Sequence, residues 1–455
     1  MMTPQEIVEA ALAGANGCQL AVVVSHAAQL NLRWAGSALT TNGAITQRQV
    51  DVVAMHPDGG TATASGQVAS RSDVARLVAS ARDSALGSQP SDDRALLPDG
   101  TTGSDWTLEP GDVDAQMLQP LATGLGKWFR AASDNGHFGY AEYDVTTTYL
   151  GTTAGSRLRH VQRQSRAEFT AKADNGRRSS WVGRADPDLA VDLTSVEEEL
   201  RRGLADQATV MDVSPGRHRV ILAPSATADL MIELYWAADA RAALEGRSVF
   251  AAAPGATRIG ETLAPGITLG SDPNDRGPAM ACRPFEVATA SSDSSSTFDN
   301  ALPLTPTDWI SDGVLTNLIS TRHTAAALDH PATPGIDNLT MKVTGGHGAT
   351  ADLVARTEDA LLITCLWYNR VVDPQTLLIT GLTRDGVYVV RDGRIVGSSG
   401  NFRFNESPVS LLGRIVEAGG EERTLAREMG DYFNRATMPA LLVREFNLST
   451  ASEAH

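Results

Sequence analysis

The sequence predicts an α+β protein, with an N-terminal region of two α/β lobes in residues 1–210 and a β-rich C-terminal domain over 217–455. Three observations carry that reading. A chain of 455 residues exceeds what one hydrophobic core serves. The order helix, strand meander, helix occurs twice, in lobes at about 1–87 and 112–210. From "HRVILAP" (218–224) onward, Gly, Pro, Ser and Thr punctuate many short apolar runs, as in strands joined by long connections.

The opening "MMTPQEIVEAALAGANG" sets Thr3 before Pro4 with acidic residues in the first turn, which starts a helix. It has no basic stretch leading into an apolar one, so no secretory leader is expected and the expected location is cytoplasmic. Strands follow across 18–69, with Asn42-Gly43 and Asp58-Gly59-Gly60 read as their turns. In "SDVARLVASARDSAL", Ser72 is the expected N-cap, and Val74, Leu77, Val78 and Ala81 share one face. Residues 87–112 read as a loop by composition. The second lobe has a helix near 113–133, strands through 138–174 and around "SSWVGRA", and a helix from about 194 to 208. In the last domain "GVYVVRDGRIVG" (386–397) is a hairpin with Asp392-Gly393 in its turn, and helices are expected at 229–244, 314–328 and 408–418.

A composition of 42% hydrophobic and 20% charged residues, with a net charge of -16, fits a soluble acidic protein and speaks against nucleic-acid or anionic-membrane partners. No run of about 18 apolar residues occurs. Cys18, Cys282 and Cys365 are scattered and unpaired by motif, which predicts reduced, buried thiols. The chain has no G-x-S-x-G elbow, no phosphate-binding loop and no H-E-x-x-H helix. His323 and His330 lie seven apart, about 10 Å along a helix axis, too far to share one ion. His347 sits in the glycine-rich "TGGHGAT", where backbone can approach a ligand.

Four segments then recur in a characteristic order: "VILAPSATADLMIEL" with "ALEGRSVFA"; "IGETLAPGITLGSDP"; "SSTFDNALPLTPTDWISDGVLTNLISTRHTAAAL"; and "TGLTRDGVYVVRDGRIVGSSGNFRFNESPVSLLGRI". In these the chain resembles the TldD/PmbA family, zinc metallopeptidases and their partner subunits formerly described as modulators of DNA gyrase. The resemblance covers nearly the whole chain and is strongest over 217–413. It implies a helix bearing H-E-x-x-x-H, whose imidazoles hold zinc and whose glutamate takes a proton from metal-bound water, with a cysteine near the C-terminus completing the site.

The matching positions are Ile232, Glu233 and Ala237, so aliphatic groups replace both imidazoles. Where the cysteine would fall the chain reads "EMGDYFNRATMPALLV", and no cysteine lies beyond 365. The resemblance therefore implies the TldE (PmbA) branch, with no cofactor bound by this chain. Zinc is expected in a TldD-type partner of a heterodimer, with a homodimer forming when the chain is alone and peptide substrates held in a closed chamber. Glu233 then becomes a helix-surface or partner-facing carboxylate, paired with Arg241 or another cation, and Asp272, His323 and His347 are candidates for peptide or partner contacts. Two other readings stay open: a self-contained hydrolase using His323, His347, Asp272 and Glu233, and a homodimeric peptide-binding protein.

Overall fold

A computed structural model describes residues 2–131, 136–253, 255–275, 277 and 280–452. Helix α1 (Pro4–Leu12) opens on a capping box: the Glu6 amide donates to the Thr3 hydroxyl, and the Thr3 amide donates to the Glu6 carboxylate. Strands β1 (Gln19–Ala35) and β2 (Ala38–Met55) form a long antiparallel hairpin. Its turn is not at Asn42-Gly43, which lies mid-strand opposite Leu32 and Asn31. Gly36 and Ser37, with φ of 57° and 62°, supply the two positive angles that a twisted hairpin needs.

Strand β3 (Thr61–Gly66) leads to α2 (Arg71–Gly87), which is capped by Ser70 and not by Ser72. Asp73 decides this, because its carboxylate reaches back to the Ser70 amide at 2.8 Å and completes the box. The buried face of α2 is Val74, Val78, Ala81 and Ala85, with Leu77 half-buried beside it. The second half repeats the order with α3 (Gln119–Ala131), β4 (Gly136–Thr152), β5 (Arg157–Ala173), β6 (Arg178–Ala185) and α4 (Leu193–Asp206). All six strands share one sheet, ordered β3-β2-β1-β4-β5-β6. Its halves join where β1 pairs antiparallel with β4, from Ala21 opposite Thr152 to Trp34 opposite Gly139. Helices α1 and α2 cover one half over Leu20, Val22 and Val52, and α3 and α4 cover the other over Trp34, Tyr143 and Phe169.

The C-terminal domain begins with β7 (Gly216–Leu222), which feeds α5 (Pro224–Trp236). Pro224 occupies the first turn, where a missing N–H costs nothing. The helix therefore starts five residues before the expected 229 and ends at Trp236; a separate helix, Ala240–Leu244, follows under an Asp239 cap. An 11-stranded sheet surrounds it. The last strand, Ala436–Ser452, pairs with Leu339–Val343, Ile415–Thr424, Asn401–Glu406 and β7. Because β7 also pairs with Asp359–Asp373, five strands close on themselves and β7 is no free edge. The helix expected at 314–328 shrinks to Arg322–Ala327, since Val314–Leu315 pairs as a strand with Ile310 and Ser311. That expected at 408–418 stops at Leu412, before the strand from Ile415. The Asp392-Gly393 turn forms as read, with φ of 48° and 73°. No described helix is long and apolar enough to cross a membrane.

The two regions meet over an apolar patch in which Ala21, Val23 and Leu150 of the first sheet pack on Phe285, Phe298 and Ala301. Beside it the Glu286 carboxyl is 9% exposed, and burial pushes it up to about 7. The folded chain thus holds this proton more tightly than the unfolded chain, where the group titrates near 4.5. Its contribution to stability is complete below about pH 4.5 and is lost as pH rises through about 7, by about 3 kcal/mol at most. Glu286→Gln is expected to remove that slope; urea unfolding at pH 4.5, 6 and 8 reads it as the difference between the two proteins.

Candidate functional site

The residues implicated by the sequence lie on α5, an almost wholly buried helix carrying two carboxylates one turn apart. Asp229 is completely buried. Three consecutive amides converge on it: Arg427 N donates to Oδ2 at 3.2 Å, while Glu428 N and Met429 N donate to Oδ1 at 3.0 Å each. Burial pushes its carboxyl up to about 8, and the three N–H donors pull the other way. The segment so anchored runs between α5 and the first sheet. The Arg427 guanidinium lies between the rings of Trp181 and Trp367, 4.8 Å from each centroid, and pairs with Glu168 of β5. Farther along, Phe433 meets Tyr235 and Trp236 of α5 edge to face.

Glu233 faces the same segment. Burial raises its carboxyl above the usual range, the like charge of Glu428 adds to the rise, and Arg370 opposes it. Glu428 itself accepts from Tyr368 N at 2.9 Å and from Arg370 Nη1 at 3.0 Å. Tyr368 holds a φ of 59° at an irregularity in the Asp359–Asp373 strand, which turns its amide toward Glu428. The proposed Glu233–Arg241 pair does not form. With α5 ending at Trp236, Arg241 belongs to the next helix and pairs with Glu245 at 3.1 Å and Asp293 at 3.8 Å.

A zinc ion does not fit these residues. Ile232 is fully buried in the apolar core, and Ala237 offers only a methyl group. The facing segment presents amide N–H groups, whose partial positive charge suits an anion and not a cation. Among the described residues no three of His, Cys, Asp and Glu are disposed to hold a metal. What the arrangement can do is clamp a chain segment and hold one carboxyl, Glu233, in a half-buried setting that raises it above the usual range.

The other candidates lie apart. The Asp272 side chain turns its own loop, accepting from Asn274 N at 2.8 Å. His323 is exposed on Arg322–Ala327, and His347 is exposed with Nδ1 2.9 Å from the Gly345 carbonyl. No hydrogen bond or ion pair links these three among the described residues. Cys18, Cys282 and Cys365 are free and buried, and burial pushes the Cys282 thiol up to about 12. Sequence reasoning missed Asp229, Arg427 and Glu428. The signal available was Asp229 itself, a charge amid "TADLMIEL" where the pattern is otherwise apolar.

Asp229→Ala leaves the amides of Arg427, Glu428 and Met429 without that acceptor and is expected to cost about 3 kcal/mol. Arg427→Met removes both ring contacts and one of the cations on Glu168, which keeps Arg166 and the Trp181 Nε1–H, and is expected to cost about 2 kcal/mol. Because both act on one segment, the double variant should lose less than the sum, which denaturant unfolding of all four proteins measures.

A family model described as the PmbA/TldA metallopeptidase C-terminal domain matches residues 215–450. A search of curated proteins finds no match. Three solved structures share the fold. TldE from Thermococcus kodakarensis is 13% identical with a TM-score of 0.78, over 97% of this chain and 99% of that one. A proposed modulator of a DNA gyrase from Thermotoga maritima is 15% identical with a TM-score of 0.78, over 98% and 100%. One from Bacteroides thetaiotaomicron is 14% identical with a TM-score of 0.75, over 98% and 99%. At such identities the likeness speaks for the fold alone. The family model, in contrast, spans over half of the sequence and includes α5, its facing segment and the closing strand, so this chain belongs to the PmbA/TldD metallopeptidase family.

Proposed function

We propose that this chain is a TldE-like, non-catalytic subunit that completes a peptidase whose zinc and catalytic glutamate belong to a TldD-type partner. The observation that carries the reading is the filling of the ligand positions: Ile232 is buried among apolar side chains, Ala237 has no donor, and amides 427–429 face α5. A chain so built contributes walls and peptide contacts, and the partner contributes the metal. Peptides are then held as extended strands inside a closed chamber, and three buried free thiols fit a reducing, cytoplasmic setting.

Strand β2 supports pairing with another chain. Strand β3 covers only Val50–Met55 of it, so residues 38–49 keep an unpaired edge among the described residues. Leu39 and Ile45 on that half are 47% and 53% exposed. A hydrolase without metal has no comparable support, because Asp272, His323 and His347 share no contact.

Reconstitution tests the reading. Base catalysis contributes about 10² to 10⁴-fold, so the partner's metal-site glutamate should be indispensable. Glu233→Gln in this chain should leave peptide cleavage by the assembled pair within about threefold, and elemental analysis should find zinc in the partner alone. A loss beyond about tenfold with the pair still assembled would place Glu233 in the chemistry and sink the proposal.

A further inference from the structure

A cavity of about 290 Å³ lies between strands β4 and β5 of the first sheet and the segment entering the last strand. Arg435 forms part of its wall and is only 7% exposed. Its guanidinium makes one hydrogen bond, Nη2 to Gln164 Oε1 at 2.9 Å, and no ion pair among the described residues. A guanidinium cannot shed its charge, and an unpaired charge in the interior is costly. The neighbouring half-buried Arg423 resolves that problem with the carbonyls of Thr424, Asn434 and Ala436. Arg435 has no such set and is turned to the cavity. Arg283 lines the same space as a second cation.

We propose that this cavity binds the carboxylate end of a peptide, with Arg435 as its anchor. The ligand class rests on the peptide-handling reading above. Asp144 and Asp337 also line the cavity, where they offset part of the Arg435 charge from beyond ion-pair distance and oppose a dianion, so the charge pattern favours a single negative charge. Asp431, at the same wall, is already paired with Arg166. Asn434 adds an amide suited to a peptide bond, while the Gln162 amide is already bonded to His160, Arg163 and Ala281. The volume is at the lower end of ligand sites, about 300–1,000 Å³, and takes about two residues and not a folded chain. A planar carboxylate also matches the fork of a guanidinium, which a spherical anion does not.

Calorimetric titration of the purified chain with N-acetyl-Ala-Ala, its C-terminal amide and inorganic phosphate tests this. The acid is expected to bind about tenfold or more tighter than either the amide or phosphate. Arg435→Gln and Arg283→Gln should each weaken the acid by about tenfold and leave the amide unchanged. Arg283 is only half-buried, so its variant keeps the test open if Arg435→Gln fails to fold. Equal affinity for acid and amide, phosphate binding as tight as the acid, unchanged binding in folded variants, or no binding at about 10 mM acid would each overturn the proposal. These titrations use this chain alone. Their failure leaves the subunit reading standing, and a failed reconstitution leaves them untouched.

Discussion

Asp229 puts a carboxylate into the middle of a buried helix, and three successive backbone amides are what make it tolerable there. Those amides belong to a segment about 200 residues later in the chain. The bond set therefore sews the segment before the last strand to the first helix of the C-terminal domain. Much follows from that stitch. With residues 427–429 held, the Arg427 side chain projects between Trp181 and Trp367 and reaches Glu168, tying the first sheet to the second domain. The next turn sets Phe433 on Tyr235, and Arg435, just before the last strand, comes to lie at the cavity wall.

The same stitch fills the face of this helix on which the metal-site positions fall. A zinc site needs lone pairs from two sides of a gap. Here one side carries Ile232 and Ala237, and the other carries amide hydrogens directed at Asp229. The gap is closed by hydrogen bonds of the opposite polarity. Glu233 remains beside Glu428 and Arg370, with a carboxyl shifted upward by burial.

Much of the fold was legible because it depends on local chemistry. The Thr3 cap, the Asp392-Gly393 turn and the helix at Leu193–Asp206 each follow from a few neighbouring residues. The errors share one cause. Asn42-Gly43 has the composition of a turn, yet β1 must run on to Trp34 to pair with β4, so the turn moves to Gly36-Ser37. Val314 and Leu315 fall in the stretch read as helix but are claimed by pairing with Ser311 and Ile310. In both places a distant strand outbids a local preference.

The candidate site divides the same way. The sequence by itself determined that positions 232 and 237 lack metal donors and that no cysteine follows Cys365, since donor chemistry belongs to the side chain wherever it lies. It also carried the α+β class, through periodicity and turn residues that act over a few positions. Only the tertiary structure decided that Asp229, and not Arg241, shapes the site, that Arg427 locks the two sheets, and that Arg435 is buried with one hydrogen bond and no ion pair among the described residues. The reason is physical: a carboxylate's state and a guanidinium's need for a partner depend on what surrounds them, and residues about 200 positions away supply those surroundings.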